Sequence, residues 1–395
     1  MAVAVRTAWI AYVNVHPFDG RADDTVFYYA SARALADAFE YRDQFGRFSA
    51  HWPPGYALTL AAAFFTAGPH LAVAKALNVA IGAATCVLVY AIGARAFGRA
   101  AGLLAALILA LLPGHAFWST LVMTETLFTF VFLLCLYLLL TWTLDNHDAR
   151  AWQLATLGLL LGYATLIRAE AVLLAPLFVL LWLAVLPRWR TPLRYGAIVC
   201  AAFAVVLGAW TVRNAVRFDD FVLLRTGAPG AVSNALDPNY LDRPARFTAP
   251  APPLEDTLGN IARHPWEIAP LELNKLRHLY RNDHEAVDWA MHERPPMSEA
   301  EATRWRRVAD VPYAVLMLAA LLAAPLWLRV RERPRLVLAF GLLAWTAIEI
   351  TFWPEPRYHT PVLPLLSVCA AAGVAWLAGT VINRTRRIEL SPDDP

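Results

Sequence analysis

Charged residues are scarce in this chain of 395 residues: they make up 16% of it, against 58% hydrophobic residues. Soluble domains carry about 25% charged and roughly 45–50% apolar residues, so this chain has fewer charged and more apolar residues than a typical soluble domain. This composition excludes a disordered protein, argues against a soluble enzyme and favours a polytopic membrane protein. The net charge of +3 is too small to indicate a nucleic-acid partner.

Cysteines are also few, and no cleavable signal peptide is recognisable. They lie far apart, each within an apolar run: Cys86, Cys135, Cys200 and Cys369. This is typical of small buried side chains and not of a disulfide or metal framework.

The N-terminus lacks the basic region, apolar core and cleavage site of a signal peptide. Since residues 2–15 span at most about 21 Å as a helix, we expect the coding start to lie upstream of Met1.

Long apolar stretches follow this N-terminal piece. Those able to cross, or nearly cross, about 30 Å of hydrocarbon lie at 71–96, 100–118, 123–143, 151–167, 170–186, 193–212, 311–328, 336–353 and 360–382. With residues 2–15 as the first span, they predict an all-α polytopic membrane protein with a bundle of about ten transmembrane helices. No internal repeat is apparent.

Arginines cluster in alternate connections between these spans, and this alternation predicts the orientation. The clusters are Arg95 and Arg99; Arg188, Arg190 and Arg194; Arg329, Arg331, Arg333 and Arg335; and Arg384, Arg386 and Arg387. All four clusters fall on one face of the predicted bundle, which is cytoplasmic by the positive-inside rule. We therefore expect both termini inside, in a bacterial plasma membrane.

Two segments then belong outside. Residues 16–70 form an amphipathic first external loop, with probable surface helices at 25–39 and 54–67. Residues 214–308 form a second external segment, whose polar stretch is expected to fold as a small helical cap. The predicted organisation is an N-terminal transmembrane module (1–213), this external segment, and C-terminal transmembrane helices with a short cytoplasmic tail (309–395).

Ionisable residues near the predicted spans are biased towards their outer ends. They are Lys75, His115, Glu125, Arg168, Glu170, Arg213, Glu349, Arg357 and His359. Charges in a membrane are expensive and usually functional, although cations also snorkel to the interface for no functional reason. Carboxylates snorkel poorly, so Glu125 and Glu349 favour a polar cavity that opens to the outside.

Several short motifs together resemble glycosyltransferase family 39. They are Asp24, Tyr28 and Ala32; Trp52-Pro53-Pro54-Gly55-Tyr56; Thr124-Glu125; Leu166-Ile167-Arg168; Trp210-Thr211-Val212-Arg213-Asn214; Arg263-His264-Pro265; and Glu355-Pro356-Arg357-Tyr358. That family includes protein O-mannosyltransferases and the aminoarabinose transferase that modifies lipid A. The resemblance covers nearly the whole chain and depends on the order of the motifs, because each motif is weak alone.

The resemblance implies a GT-C fold with its active site at the external membrane face, where a sugar passes with inversion from a polyprenyl phosphate to an acceptor. The family's acidic residue at the start of the first surface helix corresponds to Asp24, with Asp23 as its neighbour. A helix-capping role is the alternative for these two residues. Glu125 stands where the family usually has Asp. The aminoarabinose transferase has a Lys near the position of His51 and Trp52, so phosphate binding here must depend on other cations.

The chemistry of transfer asks for the same residue types. A sugar hydroxyl is a poor nucleophile, so a carboxylate must accept its proton, and Asp24, Asp23 and Glu125 are the candidates. Arginine suits bidentate phosphate contacts, and the candidates are Arg168, Arg357 and Arg213. The expected substrate-pocket residues are Tyr28, His51, Trp52, Tyr56 and Tyr358. No metal ligand is assigned and no cofactor is certain, although a divalent metal fits carboxylates near a phosphate.

The expected partners are a polyprenyl-phosphate sugar donor, the bilayer, and a lipid, glycan or protein acceptor. Two other functions remain open: a carrier or flippase for lipid-linked sugars, and a non-catalytic assembly subunit. Carriers usually have repeated halves and sites at the membrane midplane. Convergence of Asp24, Glu125 and an arginine on one external cavity favours the enzyme, a channel favours the carrier, and a filled cavity favours the subunit.

Overall fold

The computed structural model describes residues 1–13, 15, 24–145, 148–226, 228–237, 252–291, 297–352 and 354–389. These residues are mainly helical, and their only β-pairing is an isolated bridge between Arg42 and Phe48. The predicted all-α class is therefore confirmed.

The described α-helices, in chain order, are α1 (Ala2–Tyr12), α2 (Asp24–Ala38), α3 (Gly55–Ala67), α4 (Leu71–Phe97), α5 (Arg99–Leu111), α6 (Pro113–Phe117), α7 (Glu125–Leu138), α8 (Ala151–Ile167), α9 (Leu174–Val185), α10 (Arg190–Phe218), α11 (Ala228–Ala235), α12 (Leu254–Arg263), α13 (Ile268–Leu279), α14 (Glu285–Met291), α15 (Glu299–Leu322), α16 (Ala324–Trp327), α17 (Arg333–Thr351) and α18 (Leu363–Glu389). Short 3-10 turns occupy Trp118–Thr120, Ala169–Leu173, Pro265–Glu267 and Pro356–Val362, and a π-turn at Leu139–Leu144 extends α7.

Five of the described helices are long and apolar enough to cross a membrane: α4, α7 with its π-turn, α10, α17, and α18 with the 3-10 turn before it. A sixth span forms if α5 and the segment from Pro113 to Thr120 are counted together. α3, α8 and α9 are apolar but shorter. The chain is thus a multi-pass membrane protein, while the count of ten spans stays a prediction.

Two of the predicted spans differ from the observed helices. The stretch 100–118 is bent by 59° between α5 and α6. Pro113 lacks a backbone N–H and forces Leu112 into an extended conformation (φ −66°, ψ 113°), which breaks the helix there. The stretch 311–328 belongs to a helix that already begins at Glu299, because Ser298 and Glu301 form a capping box that starts it within the polar external segment.

Glycines allow the closest helix contacts in the bundle. Gly98 has φ of +89° in the tight turn between α4 and α5, and a Cβ at Gly102 would lie 2.7 Å from the carbonyl oxygen of Tyr90. On α8, a Cβ at Gly158 would overlap the carbonyl oxygen of Val199 on α10. Small residues are the usual means by which membrane helices approach closely. These contacts set the spacing of the helices whose ends carry the polar residues.

The external parts are tied to the bundle by polar and aromatic contacts. The predicted surface helices appear as α2 and α3 with nearly the expected bounds. α1 packs through Trp9, which stacks on Phe117 with ring centroids 3.7 Å apart and meets Trp305 of α15 edge-on at 4.9 Å. Lys275 of α13 donates to the carbonyl oxygen of Ile350 at 2.9 Å. The second external segment therefore rests directly on the ends of the membrane helices.

Gly158→Ala is expected to destabilise the protein by about 1–3 kcal/mol, because the added methyl group forces α8 and α10 apart. Gly208→Ala, on α10, is the matched control, since a Cβ there meets nothing within 4 Å. Both changes gain helix propensity, so only the clash distinguishes them. Thermal unfolding in detergent measures the difference. Equal melting temperatures for the two variants would contradict the close-approach argument.

Candidate functional site

Polar residues from distant parts of the sequence meet where several helices begin or end. Asp24 begins α2 and Glu125 begins α7. Arg168 follows α8, Glu349 lies in the last turn of α17, and Arg357 lies in the 3-10 turn before α18. A helix end frees backbone polar groups and allows the chain to turn, so this end of the bundle accommodates charges that mid-helix positions would bury in hydrocarbon.

Arg168 pairs with two buried carboxylates. Its Nη2 donates to Glu125 Oε1 at 2.9 Å, and its Nη1 lies 3.9 Å from Glu349 Oε1. Glu125 and Glu349 are each no more than 1% exposed. The guanidinium also lies over the ring of Tyr358, 4.3 Å from its centroid. Arg168 is thus held on several sides by carboxylates and an aromatic face.

Arg357 is bound even more completely. Its Nη1 donates to Asp24 Oδ2 at 3.1 Å and lies 3.9 Å from Glu125 Oε1. Its Nε donates to Glu355 Oε2 at 2.8 Å, and its Nη2 donates to the Tyr358 hydroxyl at 3.1 Å. Glu125 is therefore shared by both arginines. Asp24, Glu125, Arg168 and Arg357 form one continuous network, which we call the Arg–carboxylate network.

A narrow cleft lies beside this network, with a volume of about 40 Å³, or about 430 Å³ when the open space at its mouth is counted. Of the predicted site residues, those that line it are Asp24, Tyr28, Trp52, Arg168, Arg357 and Tyr358. Asp24 retains 18% exposure of its side chain, whereas Glu125 is 1% exposed. Asp24 therefore presents its carboxylate at the cleft, and Glu125 lies buried and contacts the arginines from below.

Other predicted site residues lie elsewhere. Arg213 donates to the carbonyl oxygens of Ser49 at 2.8 Å and Tyr41 at 3.0 Å, and it does not line the cleft. Near the end of α10, it attaches the loop before α3 to the bundle, and the structure does not bring it together with the other predicted phosphate ligands.

Two further predicted pocket residues, Tyr56 and His51, also do not line the cleft. Tyr56 is fully buried and donates to Asn78 Oδ1 at 3.3 Å. His51 lines a separate surface depression together with Phe27 and Arg47. Both lie next to cleft residues, since Tyr56 contacts Tyr28 edge-on at 5.4 Å and His51 contacts Trp52 at 4.8 Å. Asp23 lies outside the described residues.

Arg225 is a cleft residue that sequence reasoning missed. It follows α10, lines the cleft, and lies over the ring of Trp52 at 5.2 Å from the centroid. No carboxylate lies within ion-pair distance of it among the residues that the structure describes. The sequence placed Arg225 in the predicted external segment, but none of the motifs includes it. Arg225 is therefore a cation that the Arg–carboxylate network has not already committed.

The external cap is joined to the loop that carries Arg357. His359, two residues further on, donates from Nδ1 to the carbonyl oxygen of Leu279 at 3.0 Å, and its Nε2 lies 3.2 Å from Asp283 Oδ1. Burial raises the pKa of the Asp283 carboxyl, and the hydrogen bond from His359 opposes that rise. Trp289 of α14 completes the contact by covering the Arg357 guanidinium at 4.7 Å.

The described side chains form no cluster of metal ligands. No group of three or more His, Cys, Asp or Glu residues among them is arranged to hold a metal ion. The carboxylates nearest the cleft are instead engaged by arginines, as the distances above describe.

Comparison with known proteins agrees with the motif resemblance. Residues 51–210 match the family described as dolichyl-phosphate-mannose-protein mannosyltransferase. The comparison with curated proteins finds no match. The matched range contains Trp52, Glu125 and Arg168 and leaves Asp24 and Arg357 outside it.

Solved structures share the fold over nearly the whole chain. ArnT from Cupriavidus metallidurans bound to undecaprenyl phosphate aligns with a TM-score of 0.60 at 16% identity, covering 95% of this chain and 59% of that one. The oligosaccharyltransferase AglB from Archaeoglobus fulgidus, in complex with an inhibitory peptide and a dolichol-phosphate, aligns with a TM-score of 0.56 at 14% identity, covering 100% and 52%. The chain thus spans little more than half the length of these proteins.

Arg213→Gln is expected to lower the melting temperature, because two carbonyl oxygens of the first external loop lose a charged donor. Each hydrogen bond that involves a charged group contributes about 1.5–3 kcal/mol to stability. Arg188→Gln, an exposed position before α10, is the control and should leave the melting temperature unchanged. A variant at position 213 that melts like the wild type would contradict the structural role.

Proposed function

Because this chain has the GT-C membrane fold and residues similar to glycosyltransferase family 39, we propose that it is a membrane glycosyltransferase with a polyprenyl-phosphate-linked sugar as donor. The sugar passes with inversion to a lipid, glycan or protein acceptor at the external face of a bacterial plasma membrane. Both termini lie on the cytoplasmic side. The donor's polyprenyl tail stays in the bilayer, which explains why the site lies at the ends of membrane helices.

The observation that carries this proposal is the convergence on one cleft. Asp24, Arg168 and Arg357 come from three separate parts of the chain and all line it, and Glu125 joins the two arginines beneath it. A carrier is expected to have a path through the bilayer, and an inactive subunit a filled cavity. A cleft at which a carboxylate and several cations meet is what sugar transfer from a phosphate requires.

Asp24 is the proposed general base. Its carboxylate reaches the cleft, so it is placed to accept the proton of the acceptor hydroxyl as that oxygen attacks the sugar. Its Oδ2 accepts a hydrogen bond from Arg357. A donor phosphate that binds Arg357 competes with this bond. Donor binding therefore frees the base at the moment when the base is needed.

Glu125 is the proposed positioning residue. It is buried, it contacts both arginines, and it does not line the cleft. Its side chain has one methylene more than the Asp usual in the family, and that length is used to reach the Arg168 guanidinium. The role proposed for it is to orient the two cations and not to touch the reacting atoms.

Arg225 and Arg357 are the proposed phosphate ligands. The carboxylates of Asp24, Glu125, Glu349 and Glu355 outnumber the two guanidiniums they contact. An anion entering this site therefore needs a further cation, and Arg225, which lines the same cleft beside Trp52, supplies it. As the leaving phosphate gains charge, two preorganised guanidiniums stabilise it.

The direct test is transfer of radiolabel. Purified protein in liposomes is incubated with a panel of radiolabelled polyprenyl-phosphate sugars and candidate acceptors, with and without EDTA. We expect release of label from one donor to an acceptor, and the EDTA arm reports whether a divalent metal takes part. Failure of every donor in the panel to bind or react would contradict the proposal. Movement of an intact lipid-linked sugar across the bilayer without transfer would favour a carrier.

Asp24→Asn should lower turnover by about 10²–10⁴-fold, because loss of a general base typically costs that much. The amide keeps the size of the side chain, so the melting temperature should change little. Asp23→Asn, the neighbouring carboxylate, is the matched control and should retain activity. Near-normal turnover by a folded Asp24→Asn protein would falsify the assignment, and a dead Asp23→Asn would transfer it to Asp23.

Arg225→Gln and Arg357→Lys should each weaken donor binding by about tenfold or more, the effect of losing one charge-assisted or bidentate contact. Arg357→Lys keeps the charge and removes the fork, so it tests geometry separately from charge. The measurement is KM for the donor, with Arg188→Gln as the control. An unchanged KM in Arg225→Gln would remove Arg225 from the phosphate site.

A further inference from the structure

A second, larger cavity lies far from the cleft. Its walls come from the α4–α5 turn, the end of α15 with α16, the start of α17, and the middle of α18, and it has a volume of about 1000 Å³. This lies at the upper end of the roughly 300–1,000 Å³ typical of small-molecule pockets. We call it the basal groove.

The basal groove is at the end of the bundle opposite the cleft. α17 runs from Arg335 in the groove to Glu349, which lies 3.9 Å from Arg168 of the Arg–carboxylate network, a rise of about 21 Å at 1.5 Å per residue. The 3-10 turn with Tyr358 at the cleft leads likewise into α18, which reaches the groove at Trp376. The two sites therefore do not share residues, and an occupant of one does not touch the other.

The groove has one charged end and an otherwise largely apolar wall. Arg329 and Arg335 are its charged residues, and its apolar wall includes Leu322, Trp376 and Leu377, each more than half exposed. A hydrocarbon-facing wall of this kind fits an acyl chain, and guanidiniums at a membrane interface attract anionic headgroups.

The two arginines differ in how they are held. Arg335 is fixed by Glu332 at 2.9 Å, by the carbonyl oxygen of Ala96 at 3.4 Å and by the ring of Phe97 at 4.9 Å. Arg329 has no carboxylate within ion-pair distance among the residues described. Within the described part of the chain, one cation is therefore held in place and the other has no ion partner, and together they suit a phosphodiester.

We infer that the basal groove binds an anionic phospholipid, with its phosphodiester between Arg329 and Arg335 and an acyl chain along α18. Charge complementarity selects this occupant over a zwitterionic lipid, whose own cation repels the arginines. It also selects it over an apolar helix, which would leave Arg329 without a partner. This inference does not depend on the proposed glycosyltransferase activity.

Native mass spectrometry of the detergent-purified full chain tests the inference. The protein is exposed to equal amounts of phosphatidylglycerol and phosphatidylcholine with acyl chains of distinguishable mass, and we expect phosphatidylglycerol to be retained preferentially. Arg329→Gln should lower that preference about fivefold, the effect of one arginine near an anionic surface. Arg331→Gln removes the same charge from the same loop outside the groove and should leave the preference nearly unchanged.

A second pair of variants tests the acyl-chain path. Ala375→Trp fills the groove wall and should reduce retention of lipid, whereas Gly379→Trp, one turn further on α18 in open space, should not. Equal retention of both lipids by the wild type, or equal losses in Arg329→Gln and Arg331→Gln, would overturn the inference. So would a dimer that Arg329→Gln abolishes, because a second copy would then be the occupant. If Ala375→Trp does not fold, the arginine pair still decides.

Discussion

The sharing of Glu125 between Arg168 and Arg357 is the interaction on which the site depends. A buried carboxylate in an apolar bundle must be paired, and here one carboxylate pairs with guanidiniums that belong to different helix connections. Because removing one member leaves the others buried and uncompensated, the network brings the start of α7, the end of α8 and the turn before α18 to one place. Buried ion pairs add little net stability, so the network is better explained by the geometry it maintains than by the energy it contributes.

Breaks in helices are what make that geometry possible. Pro113 ends α5 and bends the chain by 59°, and Pro356 begins the 3-10 turn that presents Arg357. A continuous helix would carry these side chains into hydrocarbon or away from one another. The external cap then fixes the turn from outside, through the contacts of His359 with Asp283 and Leu279. Membrane bundle and cap therefore act together on the same loop, although neither contains the whole site.

Much of this arrangement was predictable from local patterns. Apolar runs identified the membrane helices, and the bias of charges towards one end indicated a polar site there. The helix bounds were less predictable, since the capping box at Ser298 begins α15 inside a stretch that reads as polar loop. Local sequence also did not separate Arg213 from Arg357. Both follow aromatic or apolar stretches at the same predicted depth. Arg213 nevertheless donates to loop carbonyl oxygens, whereas Arg357 lines the cleft.

By itself, the sequence determined that this is an all-helical membrane protein whose ionisable residues lie towards one end of the bundle. The reason is that the free energy of transferring an apolar or ionisable side chain into a bilayer hardly depends on its neighbours. Only the tertiary structure decided which cations remain available. Among the described residues, Arg225 lies over the ring of Trp52 and pairs with no carboxylate, whereas Glu125 is buried against Arg168, 43 residues later in the chain. Such pairings depend on contacts between segments far apart in the chain, and no local pattern records them.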